Sequence, residues 1–228
     1  MMPGFFDWTF ILLIPGVILG LYAQMKVHSA YTKFSRVISE RGISGARVAQ
    51  SILQSQNLID VTIEQTGGEL TDHYDPRKKV IRLSSGVYNN ESLSAVGIAA
   101  HETGHAIQHA TGYLPVMIRN GIYPIVGASN YLWMMLFLAG IFMSIPVLIT
   151  VGIYLFAGIV VFQIVTLPTE FNASNRAMAL LTGQGIITEN ERPLVRKVLN
   201  AAALTYVAAT LMAILQLIRL ILISRNRR

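Results

Sequence analysis

The sequence predicts an α+β fold: a mostly helical integral membrane protein with about four membrane helices and a polar core that carries a small sheet. Three observations lead there. Of 228 residues, 53% are hydrophobic and 13% charged, where a soluble domain carries about 25% charged residues. Apolar runs recur at residues 5–23, 122–143, 147–167 and 201–223, each about the length that crosses a hydrocarbon core about 30 Å thick. Between the first two runs, residues 26–119 hold ten of the eighteen Lys/Arg and eight of the twelve Asp/Glu residues. Short segments in that section alternate polar with apolar, as strands do.

The first apolar run is broken only by Asp7 and Thr9 and stops before Lys26. Trp8 and Tyr22 stand where interfacial aromatics belong, so residues 1–25 are expected to form the first transmembrane helix. Residues 26–121 form the core. Within it, Ser44 to Leu58 reads as an amphipathic helix with Ala46, Ala49, Ile52 and Leu53 on one face. Asp60 to Thr66 alternates like a strand and Gly67-Gly68 turns the chain. Leu70 to Tyr74 and Lys79 to Leu83 read as two further strands joined by Asp75-Pro76-Arg77. A helix opens between Asn89 and Ser94 and runs to about Thr111, where Gly112 can cap it. Residues 122–167 predict a transmembrane hairpin turning at Ser144-Ile145-Pro146. Pro168 is expected to separate it from a helix beginning near Glu170, within a helix-and-loop segment 168–199. Thr188 and Glu191 fit a capping box for the next helix. Residues 200–228 predict a C-terminal membrane helix, Ala-rich at its start, with a basic tail.

Composition also excludes chemistry. With no cysteine, disulfides and thiolate metal sites are impossible. The formal charge of +6 lies largely at membrane-flanking positions, and no aromatic–basic interleaving of the nucleic-acid-binding kind appears. No basic residue precedes Phe5, while residues 26–119 are basic, which predicts a cytoplasmic core in a bacterial inner membrane. Two spans separate His105 from Glu170, so both return to one interface. A fourth full span would carry Arg225, Arg227 and Arg228 to the opposite side, against the charge rule. Either the tail is an exception or the last helix does not cross.

The chemistry concentrates at His101-Glu102-Thr103-Gly104-His105. Histidines four apart share one helix face and can grip one metal ion, and a glutamate beside the first can reach a water on that ion. Hydrolytic zinc sites take three protein ligands and a water. Candidates for the third are His73, His109 and Glu170. His109 lies about 6 Å further along the helix, too far to share one ion. Glu170 is the stronger choice, an acid emerging at the end of an apolar span, where an unpaired carboxylate is costly.

The chain resembles the gluzincin pattern, His-Glu-x-x-His followed by Glu-x-x-x-Asp, as in the HtpX-type membrane proteases. It is most similar to the bacterial YugP-like membrane zinc metallopeptidase family. The residues that carry this are Asp72-His73-Tyr74-Asp75-Pro76, the run His101 to Gln108, Glu170-Phe171-Asn172-Ala173-Ser174, and Ala203 to Ala209. The resemblance implies a zincin-like core, one Zn2+ per chain held by His101, His105 and Glu170, and Glu102 as general base. It also implies a strand just before the motif helix that offers a sheet edge to extended substrate, the place taken by Lys79 to Leu83. One departure stands out: the acid expected four residues after the third ligand is Ser174 here. Asp72, Ser174 and Asn175 are the candidates to orient a histidine in its place. His73, Tyr74 and Arg176 are candidates to assist the developing oxyanion, although a backbone-bonded turn is the commoner role for His73 and an ion pair with an acid for Arg176.

The expected function is a membrane zinc endopeptidase that cuts peptide or protein substrates, membrane proteins among them, at the cytoplasmic face. Manganese or cobalt suits the same ligands. The rival is a non-catalytic membrane scaffold with a structural zinc site, which would close four protein ligands around the ion. A transporter would place charged residues within the spans, and residues 122–165 contain no Asp, Glu, Lys, Arg or His.

Overall fold

The structure, a computed structural model, describes residues 8–225. Phe5, Asp7, Arg227 and Arg228 of the expected first helix and basic tail lie outside the described residues. A 3-10 turn, Trp8–Leu13, leads into α1 (Ile14–Phe34) and then α2 (Gly45–Ser55). Three strands follow, β1 (Thr62–Thr66), β2 (His73–Asp75) and β3 (Val80–Ser84), with a short α3 (Ser85–Tyr88). The chain continues through α4 (Leu93–Ala110), α5 (Leu114–Phe142), α6 (Pro146–Gly183) and α7 (Arg192–Arg225). Four helical stretches, Trp8–Phe34, α5, α6 and α7, are long and apolar enough to cross a membrane. The protein is thus the helical membrane protein with a small sheet that its composition predicts.

Local signals place most elements. Ser44 precedes α2, and Ala49, Ile52 and Leu53 are buried on its inner face beside Val48. Asp75 turns the β2–β3 connection, its carboxylate accepting from the Arg77 and Lys78 amides at 3.0 and 3.2 Å. Ser92 caps α4 by accepting from the Ala95 N–H at 3.3 Å. Gly112, at φ 61°, follows its end in the left-handed conformation that glycine adopts without strain.

The sheet corrects one expectation. Its order is β1-β3-β2, with β1 parallel and β2 antiparallel to β3. The strand before the motif helix is therefore central, with partners on both sides, and cannot be a substrate-pairing edge. Val80, Ile81 and Leu83 are buried, the signature of a strand covered on both faces. The free edges belong to β1 and β2.

The membrane helices correct several boundaries. α1 extends to Phe34 rather than ending near residue 25, α5 begins at Leu114 rather than 122, and α7 begins at Arg192 with no break at 200. Most consequentially, α6 is one 38-residue helix that passes straight through Pro168. A proline removes one amide and so leaves the carbonyl four residues earlier, that of Ile164, without its helical donor. Thr166 and Thr169 donate to the neighbouring carbonyls of Phe162 and Val165 at 2.8 and 3.2 Å, and helices packed on both sides hold the axis together. The capping box forms by half. Glu191 accepts from the Thr188 N–H at 2.8 Å, while the Thr188 hydroxyl turns to Glu40.

Two apolar clusters organise the whole. One lies in the core, where Ile81, Leu83, Val96, Ala99, Leu181 and Val195 meet. The other lies in the membrane bundle, where Phe137, Ile149, Phe156, Ala213 and Leu220 meet. α5 and α6 pack closely because Gly140 and Gly152 lack side chains: a Cβ there would stand 2.7 Å from Ile149 N and 2.8 Å from Trp133 O. α7 runs antiparallel to α1 along its length. Gly16 faces Met212, and Arg219 donates to Thr9 at 3.2 Å and covers the Phe10 ring at 3.8 Å. The last helix therefore traverses the same layer as the first, and Arg225 ends on the Trp8 side.

α4 and α6 make a third close contact. A Cβ on Gly104 would lie 2.7 Å from the Ala173 carbonyl oxygen. Gly104→Ala should force the two helices apart and cost about 1–3 kcal/mol of stability, read as a clearly lower Tm. Gly121→Ala, with open space around it, is the matched control and should leave Tm unchanged or slightly raised.

Candidate metal centre

α4 sets His101, Glu102 and His105 within one turn of each other. The Gly104–Ala173 contact then seats α6 against them, which brings Glu170 and Ser174, on either side of Ala173, over the His101 ring. Glu170 Oε2 lies 3.2 Å from His101 Nε2 and 3.5 Å from His105 Nε2. One donor atom from each of the three residues falls within 4.8 Å of the others. Two ligands about 2.0–2.1 Å from a tetrahedral zinc ion lie about 3.3 Å apart, so these spacings fit one such ion. Glu170 is 2% exposed, and its other oxygen stands 3.6 Å from the Arg119 guanidinium.

The surrounding hydrogen bonds show which imidazole nitrogen is free. Arg176 Nε donates to Asn172 Oδ1 at 2.8 Å, which makes that oxygen an acceptor. Gln108 Nε2 donates to the same oxygen at 3.0 Å and to the Thr169 carbonyl at 2.8 Å. The Gln108 amide is thereby oriented with Oε1 toward His105 Nδ1, 2.9 Å away. Nδ1 therefore carries a proton, and Nε2 is the nitrogen turned to the Glu170 carboxylate, where it meets either a second proton or a metal ion. A cation between Nε2 and the carboxylate, a proton or a metal ion, makes this contact favourable. The donor set thus suits a metal on its own chemistry. His101 Nδ1 lies 3.1 Å from Ser174 Oγ, a hydroxyl that can donate or accept, and His101 Nε2 faces Glu170.

Glu102, 8% exposed, borders a cavity of about 170 Å3 that is also lined by His101, His105, Arg119, Glu170 and Tyr206. A larger cleft, about 720 Å3 between α2 and β1, contains none of these residues.

The other sequence candidates divide. Ser174 is the group that meets a motif histidine. Asp72 reaches the cavity wall but is taken up by Ser84, whose amide donates at 2.7 Å; burial raises its pKa above the usual carboxylate value. Asn175 is exposed. His73, the first residue of β2, borders the cavity with Nδ1 2.8 Å from the Thr71 carbonyl, bonded to backbone. Tyr74 lies 2.9 Å from His109 Nδ1, and burial pushes its hydroxyl up to about 12, so it stays protonated. Arg176 is absent from the cavity's lining and makes no ion pair with a described acid. It bonds Asn172 and lies over the Tyr113 ring at 5.9 Å. A planar guanidinium here orients an amide instead of meeting an oxyanion.

Sequence reasoning missed Gln108, Asn172, Arg119 and Tyr206 as parts of the site. Gln108 and Tyr206 stood inside the motifs that carried the resemblance, and Gln108 follows His105 at the i+3 spacing that lets side chains meet on a helix. Arg119 gave no signal beyond being the last charge before a long apolar run.

The chain matches a family model described as "putative neutral zinc metallopeptidase" over residues 9–225. It is 45% identical over 217 residues to a protein of Bacillus subtilis (strain 168) named "putative membrane protease YugP", an alignment that covers 95% of this chain and 96% of that protein. No solved structure matches.

Glu170→Ala should abolish stoichiometric zinc binding, measured by metal analysis after dialysis. Gln108→Leu should keep the fold but free the His105 ring, weakening zinc by about 10–100-fold in a chelator-competition titration.

Proposed function

The chain belongs to this zinc metallopeptidase family, and we propose on that footing that it is an integral-membrane endopeptidase working at the cytoplasmic face of a bacterial inner membrane. The observation that carries the reading is the convergence of two imidazole nitrogens and one buried carboxylate beside Glu102, in a cavity large enough for a water and a carbonyl group. His101, His105 and Glu170 would hold one zinc ion. When bound, the ion supplies Lewis-acid polarisation and lowers the pKa of water.

The remaining work falls to the chain. Glu102 accepts a proton from the attacking water and later delivers it to the leaving amine. Ser174 and Gln108 keep the two rings turned, so that neither must reorganise during the reaction. Arg119 neutralises the far oxygen of Glu170. Tyr206 presents a hydroxyl to the same cavity, where a donor can meet charge on the tetrahedral oxygen.

The free edge of β2 borders the cavity through His73 and Tyr74. An extended peptide that adds to this edge would lay its backbone beside Glu102, with specificity set by pockets for alternate side chains. Because α5 and α6 lead directly from the membrane into the site, membrane-embedded or membrane-adjacent polypeptides are the substrates that reach it most readily.

A structural zinc scaffold would need a fourth protein ligand. Among the described residues only His101, His105 and Glu170 form a metal-competent group, which favours an open position and catalysis. Glu102→Gln separates the two readings. It should abolish cleavage of a peptide substrate in detergent while zinc content stays at about one per chain; persistent cleavage would remove Glu102 from the mechanism.

A further inference from the structure

A second cleft, of about 480 Å3, lies between α1 and α7 and shares no residue with the cavity at the metal centre. α1 turns Lys26, Ala30 and Lys33 into it, and α7 turns Lys197, Asn200 and Ala201. Each set follows helical spacing, so each helix presents one stripe. Ala30 and Ala201 are small enough to leave the gap open. No carboxylate lines the cleft, and none of the three lysines forms an ion pair with a described residue. Three cations gathered around one space, without an acid, favour an anion there.

We propose that this cleft binds the phosphate headgroup of an anionic phospholipid. Its depth selects lipid over free phosphate. Lys26 closes the apolar run of the first span, and Lys197 stands just before the apolar run of the last. Set by the ends of those apolar runs, both belong at headgroup level on the side of the polar core. Lys26 Nζ lies 5.3 Å from the centre of the Tyr22 ring, the posture of an interfacial lysine above its aromatic anchor. Toward the membrane centre, Ile18, Leu21 and Met25 are exposed along α1, an apolar surface on which acyl chains can lie. Basic pockets between membrane helices on the cytoplasmic side are a recurring form of anionic-lipid site. This site is independent of the catalytic reading.

The test uses the full chain, stripped of lipid in a neutral detergent and titrated by native mass spectrometry with phosphatidylglycerol, phosphatidylcholine or inorganic phosphate. Phosphatidylglycerol should bind at least about tenfold more tightly than phosphatidylcholine, given the extra attraction of several lysines for a net negative headgroup. The Lys26→Gln, Lys33→Gln, Lys197→Gln triple variant should lose that preference, whereas Arg47→Gln with Lys78→Gln, outside the cleft, should keep it. Lys197→Gln alone should lower it measurably and guards against misfolding of the triple. Equal affinity for the two lipids overturns the proposal, as does a preference that survives in the triple variant. Displacement of phosphatidylglycerol by millimolar inorganic phosphate would show a free-phosphate site and overturn it equally.

Discussion

The backbone contact between Gly104 on α4 and Ala173 on α6 is the constraint on which the rest of the structure depends. A motif helix supplies two imidazoles, but a hydrolytic metal site takes a third donor, and the residue that could serve lies 65 residues beyond His105, past a hairpin of two apolar helices. Only where the two helices touch at backbone distance does Glu170 reach both rings. Glycine permits that approach, and an alanine on the partner completes it. The membrane hairpin is therefore the device that folds the third donor back onto the first two.

Around that contact, the polar side chains form a connected set with little freedom. Arg176 fixes Asn172, Asn172 and the Thr169 carbonyl fix Gln108, and Gln108 fixes the tautomer of His105. Such a chain is stable inside a protein only when every member is satisfied. Its consequence is a pair of imidazole Nε2 atoms held around a buried carboxylate, a donor set that suits a cation. The Thr169 carbonyl sits directly after Pro168, so the same stretch of α6 joins membrane span, hydrogen-bond network and metal donor.

The membrane-spanning part and the polar core share helices. α6 passes from the bundle cluster of Ile149 and Phe156 to the core cluster of Met178 and Leu181 without interruption, and α7 does so in reverse, from Val195 to Leu220. A continuation of this kind fixes the position of the cavity relative to the apolar helices. It also explains why charged groups collect at the junction: Arg119 turns inward to Glu170, while Lys26 and Lys197 remain outside.

The sequence by itself determined the four apolar spans, the amphipathic α2, the capped motif helix and the candidates His101, His105 and Glu170, which the structure brings together. The spans and helices follow from length and periodicity and the histidine pair from its spacing, all local properties, whereas Glu170 follows from the resemblance and from the cost of an acid at the end of an apolar span. Tertiary structure decided the rest. It made β3 central, because lateral strand order depends on which strand is buried on both faces and not on chain order. It carried α6 through Pro168, because packing on two sides outweighs the local preference of proline. It also chose Ser174 over Asp72 as the partner of His101 and turned Arg176 to Asn172, because a side chain bonds whatever the packing of helices distant in sequence brings within about 3 Å of it.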